Sequence, residues 1–320
     1  MKKVFITRKI DDRVIHELKQ HFSVEVWPHE DKPVPREELL RQAKTAHALM
    51  TMLSDKVDAE LFNHAPELKI VANLAVGYDN IDVKEATERG VTISNTPDVL
   101  TGTTADLTFS LLMAVARRIV EASEYIKNGE WQSWSPYLLA GSDIHHKTIG
   151  IIGMGSIGEA VAKRAKGFDM DVLYHTRSRK REAEEAFGAK HVSLDDLLSQ
   201  SDFVVCLAPL TAETKGMLST EQFAKMQKGA FLINAGRGPV VDENALFAAL
   251  QNGEIAGAGL DVFENEPISK DHPLLSLPNV VAAPHIGSAS RATRYTMMEL
   301  CAENITNVLN GKDAVTAVRA

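Results

Sequence analysis

Cysteine is scarce in this chain: Cys206 and Cys301 are the two in 320 residues. Neither sits in a CxxC pair or has a Cys or His neighbour at metal-ligand spacing. That excludes a disulfide framework and a thiolate metal site, and no metal is expected. Cys206 lies in the apolar run from Phe203 to Leu210 and reads as a buried strand residue; Cys301 falls in a late helix. Positive charge is not in excess. The 35 Lys and Arg stand against 43 Asp and Glu, a net charge of -8, which argues against a nucleic-acid partner. No apolar run reaches the length of a membrane span. The basic start Met1-Lys2-Lys3 is followed by only three apolar residues, Val4-Phe5-Ile6, so it reads as a first strand and not as a secretory signal. The expected setting is the reducing cytoplasm, with no membrane contact.

What is present is an ordinary soluble composition, 44% hydrophobic and 24% charged. The length exceeds one ordinary core, so two domains are expected. The most informative stretch is Thr148-Ile149-Gly150-Ile151-Ile152-Gly153-Met154-Gly155-Ser156-Ile157-Gly158. An apolar strand stops at a glycine triplet and a helix-forming segment, Glu159 to Lys166, follows. Gly153 permits the tight turn, Gly155 lets backbone N–H groups approach a pyrophosphate, and Gly158 lets helix and strand pack closely. The helix start at Ser156 and Ile157 then faces the phosphates with its partial positive charge. The pattern predicts a dinucleotide site.

The first hundred residues alternate short apolar runs with amphipathic segments. Strands are predicted at Val4–Thr7, Val24–Trp27, Ala48–Met52, Ile70–Asn73 and Val91–Ser94, and helices at Asp12–His21, Arg36–Ala46, Ala59–Ala65 and Val83–Arg89. After Asn95-Thr96-Pro97, Thr103 to Arg118 reads as one long helix, apolar on more than one face. It is expected to cross between domains and to contact a second subunit. A second series supplies six strands, Thr148–Ile152, Asp171–His175, Phe203–Leu207, Ala230–Asn234, Gly257–Asp261 and Val280–Ala283. A final helix, Ala289 to Leu309, is expected to return to the first unit. The fold class is therefore α/β, with two doubly wound parallel-sheet domains, the cofactor domain being Rossmann-type. The boundaries expected are 1–99 plus 289–320 for a substrate-binding domain and 100–288 for a dinucleotide-binding domain.

After the second strand of such a domain a carboxylate normally binds the adenosine ribose. Here Thr176-Arg177-Ser178-Arg179-Lys180 stands there. Hydroxyls and cations suit a ribose 2′-phosphate, so NADP(H) is the expected cofactor, with NAD(H) still possible. A solvated basic loop is the bland alternative.

Three further segments end predicted strands. Asn234-Ala235-Gly236-Arg237-Gly238 delivers Arg237 between two glycines; Asp261-Val262-Phe263-Glu264-Asn265-Glu266-Pro267 delivers Glu266; Pro284-His285-Ile286-Gly287-Ser288 delivers His285. Spacing alone leaves open whether the three meet. Their chemistry is coherent for reduction of a 2-keto acid. Arg237 can hold a carboxylate and polarise a ketone. His285 can protonate the developing alkoxide. Glu266 beside it favours the protonated imidazole and fixes its orientation. His145-His146 lacks metal-pair spacing and reads as a surface turn, and Trp131 and Trp134 as core or interface aromatics.

On Val76-Gly77-Tyr78-Asp79-Asn80-Ile81-Asp82, the Gly153–Gly158 turn, Asn234 to Gly238, Gly259-Leu260-Asp261-Val262-Phe263 with Glu266-Pro267, and Pro284 to Ser288, the chain resembles the D-isomer-specific 2-hydroxyacid dehydrogenases over essentially its whole length. Thr96-Pro97-Asp98-Val99-Leu100-Thr101, Trp131-Gln132-Ser133-Trp134 and the basic loop at Arg177 make it most similar to their glyoxylate/hydroxypyruvate reductases. The resemblance implies Arg237, Glu266 and His285 as catalytic residues. It implies substrate contacts at Val76 and Gly77 (through backbone N–H), Arg237, His285 and Trp134. Implied cofactor contacts are Thr104, Gly153, Gly155, Ser156, Ile157, Gly158, Thr176, Arg177, Ser178, Pro209, Thr214, Ala235, Asp261 and Gly287, with Asp261 on the nicotinamide side. It further implies a homodimer that exchanges the segment after the long helix. The reading is an NADPH-preferring reductase of glyoxylate and hydroxypyruvate. Its alternatives are a reductase of a larger sugar acid such as 2-ketogluconate, and a dinucleotide-sensing interaction protein of the same fold.

Overall fold

The computed structural model describes residues 1–318. The chain divides into two units, Met1–Leu100 with Ala289–Ala320, and Thr101–Ser288.

In the first unit, β1 (Lys3–Ile6), α1 (Asp12–Lys19), β2 (Ser23–Val26), α2 (Arg36–Ala43), β3 (Ala48–Thr51), α3 (Ala59–Asn63), β4 (Ile70–Asn73), α4 (Val83–Glu88) and β5 (Thr92–Ser94) alternate strictly. The strands form one parallel sheet in the order β2-β1-β3-β4-β5. β3 and β4 are buried along their whole length because helices cover both faces, which is why they are apolar up to their last residues, Thr51 and Asn73, whose buried side chains hydrogen-bond each other. Side-chain caps from Asp11, Asp58 and Asp82 start α1, α3 and α4. The loop after β4 carries Val76 and Gly77. Asn95 Nδ2 donates to the Val76 carbonyl at 2.8 Å, and Asn73 Nδ2 to the Gly77 carbonyl at 2.9 Å.

In the second unit the order is α5 (Thr101–Ala116), α6 (Ile119–Lys127), β6 (Thr148–Ile152), α7 (Ser156–Lys166), β7 (Asp171–His175), α8 (Arg181–Phe187), β8 (Lys190–His191), α9 (Leu194–Gln200), β9 (Phe203–Cys206), α10 (Thr220–Lys225), β10 (Phe231–Asn234), α11 (Glu243–Gln251), β11 (Gly257–Leu260) and β12 (Val280–Ala282). The last helix, α12 (Arg291–Leu309), packs in the first unit against β4 and α1. All strands of the second sheet are parallel, ordered β12-β11-β10-β9-β6-β7-β8. Alternate residues feed two cores. Phe203 and Val205 enter one with Ile149 and Ile151, while Val204 and Cys206 enter the other with Ile152 and Leu232. Two parallel-sheet α/β domains, as expected, are therefore present. The sheet holds one strand more than the six predicted. β8 is two exposed residues, Lys190 and His191, on the sheet edge, with no apolar pattern to announce it.

The long helix differs from its prediction. It ends at Ala116, Arg118 adopts φ +53°, and a separate helix α6 follows. Apart from exposed Met113, its apolar faces are satisfied inside its own unit: α5 lies over β10, β11 and β12 and against α7. Gly259 lets it come close, since a Cβ there would lie 3.2 Å from Leu111 Cβ. The expected surplus of apolar surface is thus not on α5. It is on the segment that follows, where Ile119, Val120, Ile126, Trp131, Trp134 and Tyr137 are exposed. Trp131 and Trp134, 58% and 78% exposed, are not core residues. His145 and His146 form an exposed turn, and both cysteines are buried.

Candidate active site

The strands of the second unit point their carboxyl ends the same way, so the loops after β6, β7, β9, β10, β11 and β12 gather at one edge of the sheet. At the β6 end, Gly153 has φ +98°, and a Cβ there would come 2.8 Å from the Leu207 carbonyl carbon. A Cβ on Gly158 would come 2.5 Å from the Gly153 carbonyl oxygen. Gly155, the N-cap of α7, faces open space: a Cβ would meet nothing within 4 Å. Open space before the first-turn N–H groups of Ser156, Ile157 and Gly158 suits a pyrophosphate, so these residues fit a dinucleotide. Pro209 and Thr214 share the turn after β9, where Thr214 Oγ1 donates to the Pro209 carbonyl at 2.6 Å.

After β7, Thr176, Arg177, Ser178 and Arg179 follow in a loop whose three last members are exposed. The segment itself carries no acid, yet α8 brings one to it. Glu184 accepts from Arg179 Nε at 2.7 and 3.0 Å. The fold thus gives Arg179 a carboxylate partner that its place beside Arg177 in the sequence does not announce.

Arg237, Glu266 and His285 come from the ends of β10, β11 and β12. Asn234 holds the first turn. Its Oδ1 accepts from Gly236 N, its Nδ2 donates to the Arg237 carbonyl, and Arg237 Nη1 donates to the Gly236 carbonyl at 2.9 Å. Ala235 N donates to the Cys206 carbonyl. The next residue has to be glycine, because a Cβ on Gly238 would sit 1.9 Å from the carbonyl carbon and oxygen of Phe263. That contact seats the Arg237 turn against the loop that carries Glu266.

Glu266 accepts from Phe263 N through Oε1 at 3.0 Å and meets His285 Nδ1 through Oε2 at 2.7 Å. Burial pushes the Glu266 carboxyl up. The hydrogen bond and charge of His285, the Phe263 N–H and the Arg237 charge outweigh it, and the carboxyl lies below its ordinary value. The loop has a second tie that the sequence did not announce. Glu243, at the start of α11, accepts from Glu264 N at 2.7 Å and pairs with His272 Nε2 at 3.1 Å.

His285 adopts φ +52° and its N–H is taken by the Asp261 carbonyl at 2.9 Å. The Asp261 side chain, 1% exposed, accepts from Ile286 N at 2.7 Å and Gly287 N at 2.8 Å. Both oxygens of the residue expected on the nicotinamide side are therefore engaged in holding the His285 turn. Burial pushes its carboxyl above the ordinary value. Thr104 of α5 is buried beside this turn, with Cγ2 3.3 Å from where a Gly287 Cβ would be. Trp134 lies on the exposed segment before β6, and Val76 and Gly77 belong to the first unit. Among the described residues no cluster of His, Cys, Asp or Glu has metal-binding geometry, and no helix is long and apolar enough to cross a membrane.

A Rossmann-type sheet with a dinucleotide turn, and a hydrogen-bonded carboxylate and imidazole at neighbouring strand ends, defines a nucleotide-linked oxidoreductase class. The model of the D-isomer specific 2-hydroxyacid dehydrogenase NAD-binding domain matches residues 109–287. A glyoxylate reductase of Thermococcus kodakarensis is 54% identical over 320 residues, covering 99% of this chain and 96% of that protein. Among solved structures, a Thermus thermophilus protein matches with TM-score 0.93 and 43% identity, covering 99% and 100% of the two chains. A Sinorhizobium meliloti NADPH-dependent glyoxylate/hydroxypyruvate reductase, in complex with NADP and malonate, matches with TM-score 0.85 and 34% identity, covering 99% and 96%. The chain belongs to the D-isomer-specific 2-hydroxyacid dehydrogenase family.

Proposed function

We propose that the protein is an NADPH-preferring cytoplasmic reductase that converts glyoxylate and hydroxypyruvate to their D-2-hydroxy acids. The observation that carries this is the 2.7 Å bond between His285 Nδ1 and Glu266 Oε2 at strand ends beside the Arg237 turn. The relatives named glyoxylate reductase support the choice of substrate. A nicotinamide cofactor held at the Gly153–Gly158 turn would supply the hydride. Arg237 takes the substrate carboxylate and polarises the ketone oxygen. Because Glu266 occupies Nδ1, Nε2 of His285 is the nitrogen that gives its proton to the forming alkoxide. Glu266, ionised, stabilises the imidazolium until then. Arg177 and Ser178 bind the 2′-phosphate, and Trp134 reaches the site of a second copy in a homodimer. Buried, unpaired Cys206 and Cys301 fit a reducing compartment.

A steady-state panel of 2-keto acids with NADPH and NADH tests the reading. Glyoxylate and hydroxypyruvate should be reduced with the highest kcat/KM, and KM for NADPH should be roughly tenfold lower than for NADH, the worth of one charge-assisted contact. His285→Ala should lower kcat about a hundred- to ten-thousandfold with cofactor binding retained. Best turnover on 2-ketogluconate would reassign the substrate. Tight cofactor binding without turnover on any keto acid would make the protein a dinucleotide-sensing interaction module instead.

A further inference from the structure

The loop after β7 is built, and its builder is Tyr174. This residue is fully buried in β7. Its hydroxyl accepts from Lys180 N at 2.7 Å, which pins the far end of the loop. At the near end, the Thr176 carbonyl lies 3.0 Å from His191 Nε2. The same Tyr174 hydroxyl donates to Glu184 Oε1 at 2.8 Å, and Glu184 then accepts from Arg179 Nε through both oxygens. The Glu184 side chain is 17% exposed and that of Arg179 is 64% exposed. Arg179, Glu184 and Tyr174 thus form a chain running from solvent to core.

The two arginines of the loop are consequently unequal. Arg177 has no hydrogen bond among the described residues. The Glu213 carboxyl, in the loop after β9, is held below its ordinary value by the Thr211 hydroxyl, by its own backbone N–H and by the Arg177 charge. Arg179, in contrast, is offset by a carboxylate in direct contact. That carboxylate is kept ionised by Arg179 first and by the Tyr174 hydroxyl second.

We propose that Glu184, anchored by Tyr174, is a cofactor-specificity residue: it ties down and neutralises Arg179, and so limits the attraction of this loop for a ribose 2′-phosphate. The proposal rests on reading the loop as the adenosine-ribose end of the cofactor site. A 2′-phosphate is a dianion and a 2′-hydroxyl is neutral. A fixed carboxylate near the loop therefore repels the first and leaves the second almost untouched. Where many dinucleotide domains place an acid at the strand end to bind the ribose hydroxyls, this chain supplies one from the following helix. It acts through the arginine, as a positioning and charge-setting residue.

The test is calorimetric binding of adenosine 2′,5′-bisphosphate and of 5′-AMP, which differ by the 2′-phosphate alone, at low and high salt. Glu184→Gln keeps the shape and the acceptor oxygen and removes the charge. It should tighten the bisphosphate about three- to tenfold and leave 5′-AMP within about twofold. The gain should shrink in high salt, because the loop is exposed. Arg179→Ala should cost severalfold more bisphosphate affinity in the Glu184→Gln background than in the parent. Glu184→Ala, which also removes the contact, should move the ratio in the same direction. The ratio of kcat/KM for NADPH to that for NADH should follow. An unchanged or reduced bisphosphate-to-AMP ratio in Glu184→Gln overturns the proposal, as does an equal cost of Arg179→Ala in both backgrounds. The NADPH reading fails separately, if Arg177→Ala loses as much 5′-AMP as bisphosphate affinity. The effect of Glu184→Gln is read on the same ratio whichever cofactor the parent prefers.

Discussion

Glu266 Oε2 lies 2.7 Å from His285 Nδ1, although the two are 19 positions apart in the chain and each ends a different strand. Glu266 also accepts from the Phe263 N–H, so its second oxygen is fixed and the carboxylate cannot swing away from the imidazole. Replacing it with Gln leaves an acceptor but no charge to balance an imidazolium. In Glu266→Gln the pH–rate profile for keto-acid reduction should lose its alkaline limb at lower pH than wild type, with kcat reduced. The thermal midpoint carries the opposite limb. The Glu266 carboxyl is depressed in the folded protein. Its contribution to stability is therefore present above the unfolded carboxylate pKa of about 4.3, and is lost as the pH falls further. The difference in Tm between wild type and variant should narrow below that pH. Superimposable pH–rate profiles would show that the pair is not coupled during turnover.

Asp261 gives a prediction of a different kind. Both of its carboxylate oxygens are used by Ile286 N and Gly287 N, within the turn that holds His285 at φ +52°. Asp261→Asn can accept at one oxygen only and presents N–H to the other donor. Leaving one buried donor unpaired costs about 1–3 kcal/mol. The variant should show a lower Tm and a reduced kcat, since His285 loses its backbone support. Wild-type kcat in a folded Asp261→Asn protein would mean that the turn holds itself.

Arg237 is assigned its role for its planar donor fork. Arg237→Lys keeps one charge and loses the second donor. The expected cost is roughly a hundredfold in kcat/KM for the keto acid, comparable to removing one transition-state donor. Full activity in the Lys variant would show that charge alone suffices.

Gly238 should be the least tolerant position near the site. A Cβ there would be 1.9 Å from the Phe263 carbonyl, a backbone atom that cannot step aside cheaply. Gly238→Ala should push the Arg237 turn away from the Glu266 loop, with kcat/KM falling well over tenfold and Tm dropping. Gly155→Ala is the control for sterics, because a Cβ there meets open space. It should keep its Tm, while KM for the cofactor rises. Equal Tm losses in the two variants would contradict this assignment of the two turns.

The apolar side chains exposed between residues 119 and 137 predict a homodimer. Sedimentation should give twice the chain mass, and Ile126→Glu combined with Trp134→Ala should shift it toward monomer. A stable, fully active wild-type monomer would remove the reason for assigning Trp134 a place in a partner's site.

The strand–helix alternation, the parallel sheets and the glycine turn were legible in the sequence because each depends on short-range chemistry. A strand buried on both faces is apolar wherever no hydrogen-bond partner meets it, as Phe203–Cys206 is, and as β10 is up to Asn234, whose amide is taken by the Arg237 turn. A turn that admits a pyrophosphate must lack Cβ atoms where backbones and phosphates approach, as at Gly153, Gly155 and Gly158. That Arg237, Glu266 and His285 follow strand ends was legible for the same reason, since a strand end is a local signal.

Tertiary structure decided which side chains meet. The Glu266–His285 contact, the Glu243 tie to Glu264 and His272, and the Asp261 clamp all join separate segments, and no local pattern encodes such a distance. The helix Thr101–Ala116 shows the same limit: its surplus apolar face was visible, but its destination was the sheet of its own unit. The loop at Arg177 is the sharpest case. Its residues read as a run of free cations until the fold set Glu184 against Arg179 and buried Tyr174 beneath both. Sequence determines which charges a segment carries, because these are properties of single residues. Only the packed structure determines which of them remain unbalanced, because balance depends on what the rest of the chain brings within a few ångströms.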